Sequence, residues 1–278
     1  MKLSAVYPQY EMPNDLVVIR DFAQAVEGMG YADLAVYEHV LGADRSSRPD
    51  FRGPYDHTTT FHEPFVLFGY LAGVTKTLRF TTCVLILPQR QTALVAKQAA
   101  EVSILSGGRF RLGIGVGWNS VEYDGLGMDF GTRGARSAEQ VRLLRELWSN
   151  DVVDFRGRWD TVVGAGIKPR PSEPIPVWFG GNDERVLRRA AELGDGWFPN
   201  SGPAEGVPLI DKIRGFVQAA GRGPSTFGIE GSVSIGGTTA EQQRRDFDAW
   251  RSAGVEAISA VTLGAGLSTP DEHLTALR

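Results

Sequence analysis

The residues of this chain best suited to chemistry are few and scattered. His39, His57, His62 and His273 are its histidines and Cys83 its one cysteine. The histidines show no H-x-H or H-E-x-x-H spacing, which argues against metal-dependent hydrolysis and leaves no metal site to read. A lone cysteine excludes an internal disulfide and a thiolate cluster. His39 stands apart from the other three. It follows an apolar, strand-like run, YADLAVYE, and precedes a long polar segment of the kind that covers sites. An imidazole placed there titrates close enough to neutrality to exchange a proton with a substrate.

The second chemical feature is the stretch 107–131, GGRFRLGIGVGWNSVEYDGLGMDFG. Phe110, Leu112, Ile114 and Val116 alternate with Arg111, Gly113, Gly115 and Gly117, so a strand here has one apolar face and one nearly bare face. Bare backbone admits either a neighbouring strand or a flat ligand at contact distance. Trp118-Asn119-Ser120 then offers amides and a side-chain amide at the strand's exit. Two nucleotide loops are absent. The spacing G-x-G-x-G has Trp118 in place of the third glycine of the dinucleotide fingerprint, and Ile114 stands where a P-loop needs its lysine.

The elements that must position these groups alternate along the chain. Apolar runs at 2–8, 32–38, 79–87, 110–116, 176–179, 196–199, 227–235 and 257–263 read as strands. Helical spacing follows each: Leu16, Ile19, Phe22, Val26 and Met29 make one face, capped at Asn14 or Asp15 and closed by Gly30. Further helices are expected at 64–74, 95–105, 133–148, 183–193 and 208–220. Two more follow, one from Thr238, with a capping box to Glu241, and one at 270–278. Inward positions of the 183–193 helix are Val186, Ala190 and Leu193. Eight strands alternating with about eight helices predict a single α/β domain over 1–278, a (β/α)8 TIM barrel. Two insertions interrupt it, a lid loop at 40–62 after strand 2 and a hairpin at 151–174, turning at Gly157, before strand 5.

Composition narrows the function further. At 278 residues the chain suffices for one such barrel, and its net charge of −4 gives no global field toward nucleic acid or an anionic membrane. There is no apolar run of membrane-spanning length and no leader-like start, so a cytoplasmic protein is expected.

A barrel works at the carboxyl ends of its strands. Those exits carry glycines, aromatics and one imidazole, but no lysine for a Schiff base and no pair of acids for glycoside hydrolysis. Such a mouth suits a flat organic cofactor that carries the reaction itself. Gly180-Gly181, followed by Asn182-Asp183 and a helix, reads as a phosphate seat or as a tight turn that binds nothing.

The segments VYEHV, TTCVLILP, GGRFRLGIGVGWNSVEYDGLG and IPVWFGGNDERVLRRAAELGDGWFP resemble the luciferase-like monooxygenase superfamily, most of all its actinobacterial branch that uses the deazaflavin coenzyme F420. The resemblance spans about residues 2–200. It implies that His39 is the catalytic proton donor, and that Cys83-Val84 is a non-proline cis peptide backing the cofactor ring. It also implies that Gly180 and Gly181 hold the cofactor phosphate. Gly117, Trp118, Asn119 and Asn182 join the cofactor site by their places at the strand exits. Trp118 departs from the sugar-phosphate dehydrogenases of the family, which carry a glutamate there, so such a substrate is not expected. Glu38 replaces an aspartate of several relatives.

The resemblance implies an F420-dependent oxidoreductase that passes a hydride between the deazaflavin and a small organic substrate, working as a homodimer. The alternatives are an FMN-dependent monooxygenase on the same fold, whose ring and phosphate the glycines cannot distinguish, and a non-catalytic carrier of the coenzyme. The lid, with Arg45, Arg48, Arg52, Phe51, Tyr55 and His57, suits a mid-sized polar molecule.

Overall fold

The computed structural model describes residues 1–278, apart from the side chain of Pro224. Its strands are β1 (Lys2–Val6), β2 (Asp33–Val36), β3 (Arg79–Thr82), β4 (Leu85–Ile86), β5 (Phe110–Gly115), β6 (Val153–Arg156), β7 (Thr161–Ala165), β8 (Val177–Gly180), β9 (Gly196–Phe198), β10 (Gly228–Ser234) and β11 (Ala257–Val261). The helices are α1 (Leu16–Gly28), α2 (Pro64–Val74), α3 (Thr92–Leu105), α4 (Ser120–Gly125), α5 (Arg133–Ser149), α6 (Glu184–Leu193), α7 (Pro203–Ala219), α8 (Ala240–Ser252) and α9 (Pro270–Ala276).

Parallel strands run β3-β2-β1-β11-β10-β9-β8-β5 around a sheet that closes through β3 and β5. This is the (β/α)8 barrel. The antiparallel pair β6–β7 forms the hairpin ahead of β8, its turn amides at Arg158, Trp159 and Asp160 gathered by the Glu139 carboxylate of α5. None of the described helices is long and apolar enough to cross a membrane.

Four local readings need correction. The expected strand at 79–87 is broken into β3 and β4, because the register against β5 slips by one residue between Thr81↔Arg111 and Leu85↔Ile114. The slip is a bulge, and the Thr82 hydroxyl bridges it by donating to the Gly113 carbonyl (2.7 Å) and accepting from the Gly113 amide (2.9 Å). α7 begins at Pro203, where a missing N–H costs nothing; Pro208 lies inside the helix on its exposed side. Thr239, one residue later than expected, caps α8 through Gln242, while Thr238 turns back to the Ser234 carbonyl. α6 fully buries Leu187 and Ala191 beside the expected Ala190, while Val186 and Leu193 pack against the core only partly buried.

The lower barrel is filled by charge. The Arg111 guanidinium donates to Glu230 at 2.6 Å, approaches Asp33 at 3.5 Å and lies 4.3 Å from the Trp178 ring and 5.0 Å from that of Phe198. Ser259 donates to Glu230, and Thr81 and Arg79 donate to Asp33. Buried charges are tolerable only when paired and bonded, and here every one is. Arg111→Met leaves the buried Glu230 without its cation, while Asp33 keeps Arg79, so it is expected to lower stability by about 3–5 kcal/mol. Urea unfolding is the measurement, and the double variant Arg111→Met, Glu230→Gln should lose less than Arg111→Met alone.

Candidate active site

Three residues past the end of β2, His39 meets a carboxylate that sequence reasoning did not single out. Its Nδ1 lies 3.2 Å from both oxygens of Glu122, which is 1% exposed. Glu122 stands three residues after Asn119, the N-cap of α4, whose Oδ1 accepts from the Val121 amide. A glutamate at that place often reaches back to its own cap. This one instead accepts from the Val40 amide (2.7 Å), the Leu41 amide (3.2 Å) and Gln89 Nε2 (3.2 Å). Burial opposes its ionisation, but the hydrogen bonds from His39, Gln89 and Leu41 outweigh burial and hold the carboxyl below the usual range. An ionised carboxylate accepts and cannot donate, so the proton of a neutral His39 sits on Nδ1 and Nε2 is the atom left for a substrate.

Aromatic rings surround the imidazole, with Phe61 at 4.8 Å, Tyr55 at 5.2 Å and Trp118 at 5.4 Å between centroids. Phe61 and Tyr55 belong to the loop 40–62, whose later part therefore packs against His39. The lid is anchored at its start by Asn119 Nδ2 donating to the Leu41 carbonyl, and at its end by the His62 amide donating to Gln9. In between, Arg45 holds Asp56 and the Gly53 carbonyl. Gly53 rests directly on the Trp118 ring, so close that a Cβ there would collide with it. A cavity of about 130 Å³ remains beside His39, lined by Leu41, Tyr55, His57, Phe61 and Asn119 among others.

Cys83 and Val84 are joined by a cis peptide, as the family resemblance implied. Their neighbours explain the bare face of β5. The space a Cβ would need at Gly113 is taken by the Thr82 carbonyl, at Gly115 by Val84, and at Gly117 by Ile86. A Cβ at Gly180 would likewise collide with Val84, coming within 2.6 Å of it. The glycines thus serve close strand packing around the bulge. The Cys83 thiol is pushed up to about 12 by burial, with Glu230 adding to the shift, so it is no nucleophile at neutral pH.

At the α6 start, the Gly181 amide donates to the Phe198 carbonyl at 3.2 Å, and Trp197 Nε1 donates to the Gly181 carbonyl. Asp183 caps the helix through Arg185, and the Asn182 side chain bridges Ser201 and the Asn200 amide. Among the described residues, the Asn182 amide has no hydrogen-bond partner, which leaves it for an anion. The apolar Val84, the partly exposed Cys83, one imidazole and this turn suit a flat ring with an anionic tail. Glu38 braces the same mouth from below, accepting from the Ile86 amide (2.6 Å) and from Arg90.

The luciferase-like monooxygenase profile matches residues 4–272. An uncharacterized protein of Mycobacterium tuberculosis is 33% identical over 84% of this chain and 83% of its own length. An F420-dependent glucose-6-phosphate dehydrogenase of Amycolatopsis mediterranei is 33% identical over 72% of the chain and 57% of its own length. Pyrimidine monooxygenase RutA of Allorhizobium ampelinum is 30% identical over 64% of the chain, which spans about half of that protein (51%). Among solved structures, an F420-dependent secondary alcohol dehydrogenase superposes with a TM-score of 0.76 at 17% identity, covering 100% of this chain and 99% of that one. The monooxygenase RslO1 of Streptomyces bottropensis does so at 0.79 and 16%, covering 100% and 97%.

Glu122→Gln keeps the shape and removes the charge. It is expected to cost about 1–3 kcal/mol at neutral pH, the range for hydrogen bonds to a charged group. A carboxyl held below its unfolded value contributes stability above that value and loses it as the pH falls through the folded one. The gap between wild type and Glu122→Gln should therefore be constant above about pH 5 and close below about pH 4.3, the value for a free glutamate. Urea unfolding across that range decides it, and a gap that ignores pH would mean Glu122 is not ionised.

Proposed function

The chain belongs to the luciferase-like monooxygenase family, a family of oxidoreductases, and on that premise we propose that it is a coenzyme F420-dependent oxidoreductase acting on a small organic molecule. The observation that carries this reading is His39, its Nδ1 fixed by an ionised, buried Glu122 and its ring enclosed by Phe61, Tyr55 and Trp118. The F420-dependent glucose-6-phosphate dehydrogenase among the relatives supports the choice of cofactor.

When bound, the deazaflavin supplies or accepts a hydride. Cys83 and Val84 would lie against its ring, Gly117, Trp118 and Asn119 beside it, and the Asn182 amide would meet its phosphate, with Gly180 and Gly181 giving it close approach rather than free amides. The chain's own work is the matching proton. His39 Nε2 gives a proton to the substrate oxygen, or takes one from it, while Glu122 stabilises the imidazolium form. The lid rings keep water from the reacting atoms. Trp118 leaves no second acid at the exit of β5, and His39, fixed by Glu122, takes this duty.

FMN is the alternative cofactor, and RutA among the relatives is the observation that favours it. Titration of F420 and of FMN against tryptophan fluorescence decides between them. The deazaflavin is expected to bind more tightly, and tighter FMN binding reverses the choice.

His39→Ala should lower the single-turnover rate by about 10²–10⁴-fold, the usual scale of general acid–base catalysis, with cofactor affinity little changed. His39→Asn keeps a hydrogen bond without proton transfer and should be nearly as slow. Full activity in His39→Asn would reduce His39 to positioning and leave water as the proton source.

A further inference from the structure

A second cleft, open to solvent, lies outside the His39 cavity. It holds about 690 Å³ between the lid segment 47–54 and the start of α4, where Trp118, Ser120 and Val121 form the facing wall. Trp118 divides the two spaces. One side of its ring meets His39, and the residue remains 41% exposed, bordering the cleft beside Phe51. The cleft and the imidazole therefore share Trp118 as a neighbour.

The charge on that wall is not balanced. Arg48 and Arg52 both line the cleft, and Asp50 is its one acidic side chain. Neither guanidinium pairs with a carboxylate among the described residues. Arg52 instead donates to the carbonyls of Pro49 and Phe51, which hold it on the lid without neutralising it. Nearby acids are already engaged: Asp44 accepts from Ser46 and Ser47, and Asp56 accepts from Arg45 and Thr58. Guanidinium forks without a partner, next to two aromatic faces, are the chemistry that recognises an organic anion with a flat or apolar body.

We propose that this cleft binds the anionic group of the substrate, a carboxylate or a phosphate ester on an aromatic or apolar frame, with Trp118 as the stacking surface that leads the frame to His39. The inference rests on the mouth being an oxidoreductase active site and adds the class of molecule it accepts. Arg48 and Arg52 are then specificity residues, while His39 and Glu122 are indifferent to the charge of the substrate.

The test uses benzoate, phenyl phosphate and the neutral benzyl alcohol as probes, titrated calorimetrically into the full chain. Benzoate or phenyl phosphate should bind at least about tenfold more tightly than benzyl alcohol, the size of one charge-assisted hydrogen bond, and the comparison of the two anions identifies the group preferred. The advantage should shrink as salt rises from about 0.02 M to about 0.5 M. The exposed double variant Arg48→Gln, Arg52→Gln should abolish it without changing F420 or FMN affinity. Equal binding of the neutral probe, an anion preference that survives in the double variant, or no binding of any probe overturns the proposal. The oxidoreductase reading fails separately: if neither cofactor binds while the anion preference persists in wild type and is lost in the double variant, the anion site stands.

Discussion

A single buried carboxylate holds the working end of this barrel together. Glu122 gathers the His39 ring, the Val40 and Leu41 amides and the Gln89 amide group. These donors come from the root of the lid and from the turn before α3, while the carboxylate itself comes from α4. Ionised and nearly inaccessible, it is stable only because all of them converge on it. The alignment of the imidazole, the take-off angle of the lid and the seating of α4 are therefore one structural decision. Aromatic rings then fill the space around His39, a packing that adds no competing hydrogen bond to the remaining ring nitrogen.

Below this assembly, the Arg111 layer sets a second constraint. A barrel could be filled by aliphatic side chains. This one places a cation between two carboxylates and two aromatic faces, and the bare β5 positions above it let Thr82, Val84 and Ile86 close in. Charge at the floor and glycine toward the mouth come from the same strand, so its alternation sets the depth of the site. The hydrogen bonds of Thr82 to Gly113 mark the level at which the ladder gives way to the bulge.

Much of this was legible in the chain. The alternation of β5, the cap at Asp15 and the hairpin at Gly157 all rest on local preferences that tertiary packing did not override. His39 could be picked out because it ends an apolar run just before a polar loop. Glu122 could not, because its partner lies 83 residues away and its own neighbourhood reads as an ordinary first helical turn. The pattern N-x-x-E after a strand was the available signal, and it predicts a cap, not a contact with another loop. The strand break at Cys83-Val84 was also invisible to β-propensity, since TTCVLIL is as good a continuous strand as any; resemblance to a family supplied it. The role of the glycines was open between ligand and packing until the neighbours of each missing Cβ were known.

The lid is gripped at Leu41 by Asn119 and Glu122, and at its far end by the bond from His62 to Gln9, whose own side chain is tied to the Tyr37 carbonyl. Its middle is held differently, by Gly53 lying flat on Trp118. Contact of that kind is short-ranged and undirected, whereas the two ends are pinned by hydrogen bonds into buried groups. The span over Trp118 and the root beside His39 are thus held by separate contacts, so what rests on Trp118 can change without touching the bonds that orient the imidazole.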